Sequence, residues 1–168
     1  MSSTVIAYIG LGSNQDHPIR QVRRALEELA QLPASRLLAQ SGLYRSAPLG
    51  PSAQPDFINA VAALETGLAA PALLSALQAL ETAHGRVRGA LRWGPRTLDL
   101  DLLLYGETVL HTPALQLPHP GLPERAFVLY PLADIAPDLV IPGHGVVREL
   151  AARCAPSGIT SLGDAAHE

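Results

Sequence analysis

The segment Leu98-Asp-Leu-Asp-Leu-Leu-Leu104 constrains the fold more than any other part of the chain. Leucine and aspartate alternate with the two-residue period of a strand that buries one face. Leu98, Leu100, Leu102 and Leu104 are expected to enter a core. Asp99 and Asp101 then leave the opposite side, with Cα atoms roughly 6–7 Å apart at about 3.3 Å rise per residue. Aspartate is disfavoured in strands, and two carboxylates this close repel unless a counter-charge joins them. A divalent cation bound through oxygen is the usual one. Just upstream, Arg86, Arg88, Arg92 and Arg96 are interrupted by Gly89, Gly94 and Pro95. A cationic glycine-proline loop beside a hard-metal site suits a substrate rich in phosphate.

The rest of the chain bounds the class. Its 168 residues are 48% hydrophobic and 16% charged, which predicts one globular domain with a real core. All 12 basic residues are arginine, which excludes the lysine chemistry of a P-loop or a Schiff base. The net charge of −3 gives no global nucleic-acid footprint. Cys154 is the single cysteine, so no internal disulfide and no cysteine zinc site is expected. The N-terminus lacks the basic region of a signal peptide, and no uncharged apolar run reaches membrane-spanning length. A cytoplasmic protein without a membrane partner is the expectation.

Val5–Ile9 reads as a buried strand and Gly10-Leu-Gly-Ser-Asn14 as a tight turn into a helix. Pro18 would open that helix, with Ile19, Val22, Leu26 and Leu29 on its apolar face and a stop before Pro33. Leu37–Tyr44, with Gly42 as a bulge, and Phe57–Glu65 follow as strands. A second helix starts at Pro71 and ends at Gly85. After the Asp99 strand, Glu107–Leu110 pairs back as a hairpin, and short helices span Glu124–Ala133 and Val146–Arg153. The order β-α-β-β-α-β over residues 5–105 predicts an α+β fold. Its expected form is a ferredoxin-like α/β/α sandwich with a mainly antiparallel sheet and extra C-terminal elements. Residues 1–155 are expected to form the domain. Residues 156–168 show no periodicity and are expected to be a mobile tail.

Several residues invite chemistry but have a plainer reading. Leu74, Gln78 and Glu81 share one helical stripe, yet spacing alone makes Glu81 a solvated surface glutamate. The glycine turn lacks the third glycine of a dinucleotide-binding fingerprint. His119 is held between Pro118 and Pro120. Trp93 lies in the arginine loop without apolar neighbours, which suits the cover of a flat ligand. Phe57 and Phe127 read equally well as core.

Taken together, these segments resemble the 6-hydroxymethyl-7,8-dihydropterin pyrophosphokinases of folate biosynthesis. The resemblance runs from about Val5 to Gly143. Its most specific piece is Arg92-Trp-Gly-Pro-Arg-Thr-Leu-Asp-Leu-Asp-Leu-Leu103. Ile9–Asn14, Tyr44–Gly50, Gln54–Ala60, Glu81 with Gly85–Arg88, and Leu117–Pro120 leading to Phe127 support it. The resemblance implies transfer of pyrophosphate from ATP to the hydroxymethyl group of a reduced pterin, with release of AMP. It implies two magnesium ions held by Asp99 and Asp101, which with Arg86 and Arg96 form the catalytic set. Leu74, Gln78, Glu81, Arg88, Leu102 and His119 fall on the ATP side. Ser46, Leu49, Phe57, Asn59, Trp93, Arg125 and Phe127 fall on the pterin side, with the two phenylalanines stacked on the ring. The partners implied are small molecules acting on a monomer, with no nucleic acid. Departures are small: tyrosine is frequent where Phe57 stands, and a basic residue where Gly89 stands. Two other readings stay open at this point, a magnesium-dependent nucleotidyltransferase and a non-catalytic ferredoxin-like binding module.

Overall fold

The computed structural model describes residues 3–47, 55–85, 97–155 and 158–163. Four helices and ten strands alternate as β1 (Val5–Ser13), α1 (Pro18–Leu29), β2 (Ser35–Gln40), β3 (Leu43–Ser46), β4 (Phe57–Thr66), α2 (Ala70–Ala83), β5 (Asp99–Tyr105), β6 (Leu110–His111), β7 (Gln116–Leu117), α3 (Ala126–Ile135), β8 (Val140–Ile141), β9 (Gly145–Val146), α4 (Val147–Arg153) and β10 (Ile159–Gly163). The main sheet runs β10-β3-β4-β1-β5, with β2 also paired to β4, and the pairings within it are antiparallel. Within the β-α-β-β-α-β unit the fourth, first, third and second strands therefore lie side by side, the ferredoxin-like order.

The sheet is covered on both faces, each by its own core. On one side Ala7, Ile9, Leu11, Ile58, Ala60, Ala62, Leu100 and Leu102 meet α1 and α2 through Ile19, Val22, Leu26, Leu73 and Leu77. On the other, Val61, Leu103 and Leu104 meet α3 and α4 through Val128, Leu129, Leu132, Val147 and Leu150. Tyr44 on β3 donates its hydroxyl hydrogen to Asp134 of α3, with oxygens at 2.9 and 2.8 Å, and so ties that helix to the sheet. Across the first layer, the His84 ring nitrogens lie 2.5 Å from Gln21 Oε1 and 2.5 Å from Glu28 Oε1 of α1. Among the described residues no helix is long and apolar enough to cross a membrane.

Five local expectations change. Gly10–Ser13 is not a turn but the end of β1, because it is paired on both sides, Gly10 with Val61 and Asp101 and Gly12 with Asn59 and Asp99. The Leu37–Tyr44 strand is two strands. At the break, Ser41 replaces the ladder, its N–H donating to Val61 O while its hydroxyl oxygen accepts from Val61 N–H, both at 2.9 Å. Leu104 does not join Leu98, Leu100 and Leu102, since the β1–β5 register jumps from Ile9↔Leu102 to Tyr8↔Leu104. That β-bulge at Leu103 turns Leu104 towards the α3 layer. Residues 107–110 do not pair back onto the preceding strand; Leu110 and His111 pair instead with Leu117 and Gln116. Finally, Ile159–Gly163 of the aperiodic C-terminal segment pair with β3, a contact made by backbone groups that needs no apolar rhythm.

Candidate active site

The sheet register brings the predicted residues into rows on the α3 face. Tyr44, Asn59, Gly12 and Asp99 are successive partners across β3, β4, β1 and β5. Asp101 faces Gly10 in the next row, beside Val61. Both aspartates thus have glycine as their neighbour in β1; the Leu103 side chain lies over Gly10, beside Asp101, while Asn59 and Phe57 flank the space above Gly12. Neighbouring strands lie about 4.8 Å apart, so a trough roughly 10 Å wide separates Asn59 from Asp99. Asp99 and Asp101 are both part-exposed at its rim.

The Asn59 end is pre-set. Ser46, buried at 3% exposure, donates from Oγ to Asn59 Oδ1 at 2.5 Å. With its oxygen engaged, Asn59 presents its amide hydrogens. Asn59 is itself buried at 6% exposure; a Cβ on Gly12 would lie 3.3 Å from its Nδ2 and 3.9 Å from the Phe57 ring, so the missing side chain leaves room beside that donor group. Phe57 begins β4 and is half-buried. Asn14, just past β1, donates from Nδ2 to Pro55 O at 3.0 Å and anchors the entry to β4.

The Asp101 end is flanked by the segment that follows β7. His119 N–H donates to Leu103 O at 2.9 Å, seating this segment on β5. The His119 ring accepts from Gly121 N–H at Nδ1, 3.1 Å, so the neutral ring carries its hydrogen on Nε2. That nitrogen lies 3.9 Å from Asp101 Oδ1. Burial, and then the Arg125 guanidinium, hold the histidine pKa below its usual value, while Asp99 pulls the other way. Arg125 lies above the Phe127 ring, its guanidinium carbon 5.9 Å from the ring centre. The same guanidinium covers Gly121, where any Cβ would overlap it.

Glu81 differs from the surface residue that helical spacing predicts. It is buried at 7% exposure, and its Oε2 accepts from Leu100 N–H at 2.8 Å. A strand edge, not a helix stripe, explains it. Gln78 and Leu74 are half-buried on the same helix, whereas Leu102 is buried in the first core. Leu49, Arg86, Arg88, Trp93 and Arg96 lie outside the described residues. Sequence reading missed Gly10, Gly12, Asn14 and Gly121 as site-forming residues, although the Gly-x-Gly-Ser-Asn spacing was visible. A cavity of about 430 Å³ between Pro123, Ala126, Leu150 and Cys154 shares no lining residue with this cluster.

Comparison with known proteins agrees with this arrangement. The family model for 7,8-dihydro-6-hydroxymethylpterin-pyrophosphokinase (HPPK) matches residues 8–137. A Pseudomonas aeruginosa protein named 2-amino-4-hydroxy-6-hydroxymethyldihydropteridine pyrophosphokinase is 56% identical over 155 residues, 92% of this chain and 95% of its own length. A Haemophilus influenzae protein of the same name is 47% identical over 146 residues, covering 87% and 91%. The fold is similar to that of Plasmodium falciparum HPPK-DHPS solved with pteroate, with a TM-score of 0.72 over 91% of this chain and 43% of that one. At 13% identity that likeness speaks for the fold alone. A sequence match through the glycine row, the aspartate strand and the His119–Phe127 segment places this chain in the 7,8-dihydro-6-hydroxymethylpterin-pyrophosphokinase family.

Proposed function

We propose that this chain transfers pyrophosphate from ATP to the hydroxymethyl group of 6-hydroxymethyl-7,8-dihydropterin, and that it does so across the glycine-floored trough between Asn59 and Asp99. That row, Asn59–Gly12–Asp99, is the observation that carries the reading. One end offers a hydrogen-bond donor beside an aromatic ring, as a flat heterocycle needs. The other end offers two carboxylates beside a histidine and an arginine, as a metal-bound triphosphate needs.

Phe57 and Phe127 stack on the pterin faces, Asn59 binds its edge, and Ser46 holds the Asn59 amide in place. The backbone near Leu49 completes that edge, and Arg125 and Trp93 close over the ligands. Asp99 and Asp101 fit magnesium. Among the described residues no group of three or more His, Cys, Asp or Glu side chains forms a metal cage. Magnesium typically takes one or two carboxylates and fills its shell with phosphate oxygens and water. When bound, two such ions neutralise the triphosphate and lower the pKa of the pterin hydroxyl. The neutral His119 ring donates from Nε2 to a phosphate oxygen, and Arg86, Arg88 and Arg96 add fixed positive charge. Leu74, Gln78 and Leu102 lie towards the adenosine. The hydroxyl oxygen attacks the β-phosphorus and gives its proton to solvent, the bond to the α,β-bridging oxygen breaks, and AMP departs with the electron pair. Catalysis is then mostly positioning and preset charge. A monomer in the reducing cytoplasm, acting on small molecules, suits this chemistry.

The test is AMP release from ATP, which should require both the hydroxymethyl pterin and magnesium. Asp101→Ala should lower turnover at least about a hundredfold with the fold intact. A folded Asp101→Ala protein of near-normal turnover would remove the metal assignment.

A further inference from the structure

Among the described residues β5 is the edge strand of the sheet, so the backbone groups on its outer side have no ladder partner there. Two of them are bonded nonetheless. Leu103 O accepts from His119 N–H at 2.9 Å, and Leu100 N–H donates to Glu81 Oε2 at 2.8 Å. Leu100 is the residue between the two aspartates. Its peptide plane sets ψ of Asp99 and φ of Leu100, and hence the angle between the two carboxylate-bearing bonds. Glu81 reaches this plane from α2, whose layer covers the sheet face opposite Asp99 and Asp101. A buried carboxylate at the last turn of a helix is opposed both by desolvation and by the helix dipole. Packing alone would be served better by an apolar residue of the same size.

We propose that Glu81 is a positioning residue: its carboxylate clamps the open edge of β5 at Leu100, holding Asp99 and Asp101 aligned for a divalent cation on a triphosphate. What the aspartates do rests on the pyrophosphokinase reading; the clamp itself does not. Glu81 then acts through the strand and needs no contact with nucleotide.

The experiment compares Glu81→Met, which fills the space without an acceptor, with Glu81→Gln, whose Oε1 can take the same bond. Hydrogen exchange at the Leu100 amide is followed by NMR in the ligand-free chain, and AMP release is followed against magnesium concentration. In Glu81→Met the Leu100 amide should exchange roughly tenfold to a hundredfold faster. Half-maximal activity should need several-fold more magnesium, with kcat reduced and KM for the pterin unchanged. Glu81→Gln should keep the Leu100 amide protected and lose less activity than Glu81→Met. Continued protection of Leu100 in Glu81→Met overturns the clamp. So does a Glu81→Gln chain that loses as much turnover as Glu81→Met while its Leu100 amide stays protected, since charge and not strand geometry would then be at work. If the parent chain releases no AMP, the reaction is wrong, and the exchange rates still judge the clamp.

Discussion

At Gly12 the missing side chain is itself the functional feature. Nothing in its strand geometry demands glycine, and replacing a strand glycine by alanine usually adds stability through the unfolded state. A methyl group there would press on Asn59 Nδ2 at 3.3 Å. Gly12→Ala is therefore expected to keep or raise the melting temperature while raising KM for the pterin about tenfold, measured by thermal unfolding beside steady-state kinetics. A fall in both stability and activity would mean that the residue is merely structural. The same position shows how the sequence misleads. Two glycines before a proline-opened helix read as a turn, because nothing local says that Asn59, in a strand 47 positions on by the numbering, lies alongside Gly12. The aspartate pair was legible, because its alternation with leucine is written within one strand. The Ser46–Asn59 bond was not, because it needs the β3–β4 register.

Elements differ in how openly they announce themselves. Helices α1 and α2 were legible from apolar spacing and from Pro18 and Pro71 at their starts. β10 was not, because it joins the sheet by main-chain bonds, including Ala47 N–H to Gly158 O at 3.0 Å. The link between α3 and the sheet was equally hidden, since Tyr44 and Asp134 are far apart in sequence. Burial first, then the hydrogen bond to Asp134 and its charge, raise the Tyr44 pKa. A raised folded-state pKa means that this contribution to stability is complete below the unfolded tyrosine value near 10, and is lost as pH climbs above it. In an alkaline titration followed by tyrosinate absorbance, Tyr44 should be the last of the 4 tyrosines to ionise. Tyr44→Phe should remove that late step and cost about 1 kcal/mol of stability in denaturant unfolding. Loss of the late step in another tyrosine's phenylalanine variant instead would refute the assignment.

For the whole molecule, one sheet serves two cores. Leu77 lies in the α1–α2 layer and Leu129 in the α3–α4 layer, both fully buried. Truncating either to alanine should cost about 2–5 kcal/mol. Because both layers rest on the same strands, each variant should still unfold in a single calorimetric transition; two separate transitions would show that the layers are independent. The sequence conveyed the layered architecture through the order of its elements, but not that the two faces trade residues within β5. There Leu102 belongs to one core while Leu103 and Leu104 belong to the other.

That extra leucine stands outside the strand's alternation. Deleting one of Leu102, Leu103 or Leu104 would restore simple odd–even parity and leave the aspartates where they are. The residues downstream would keep their β1 partners, with Tyr105 opposite Ala7 and its hydroxyl reaching Leu68 O as it now does at 2.6 Å, and the α3 layer alone would lose a leucine. A stretch that looks like interchangeable leucines therefore holds one that serves the packing of a single layer and not the phase of the strand.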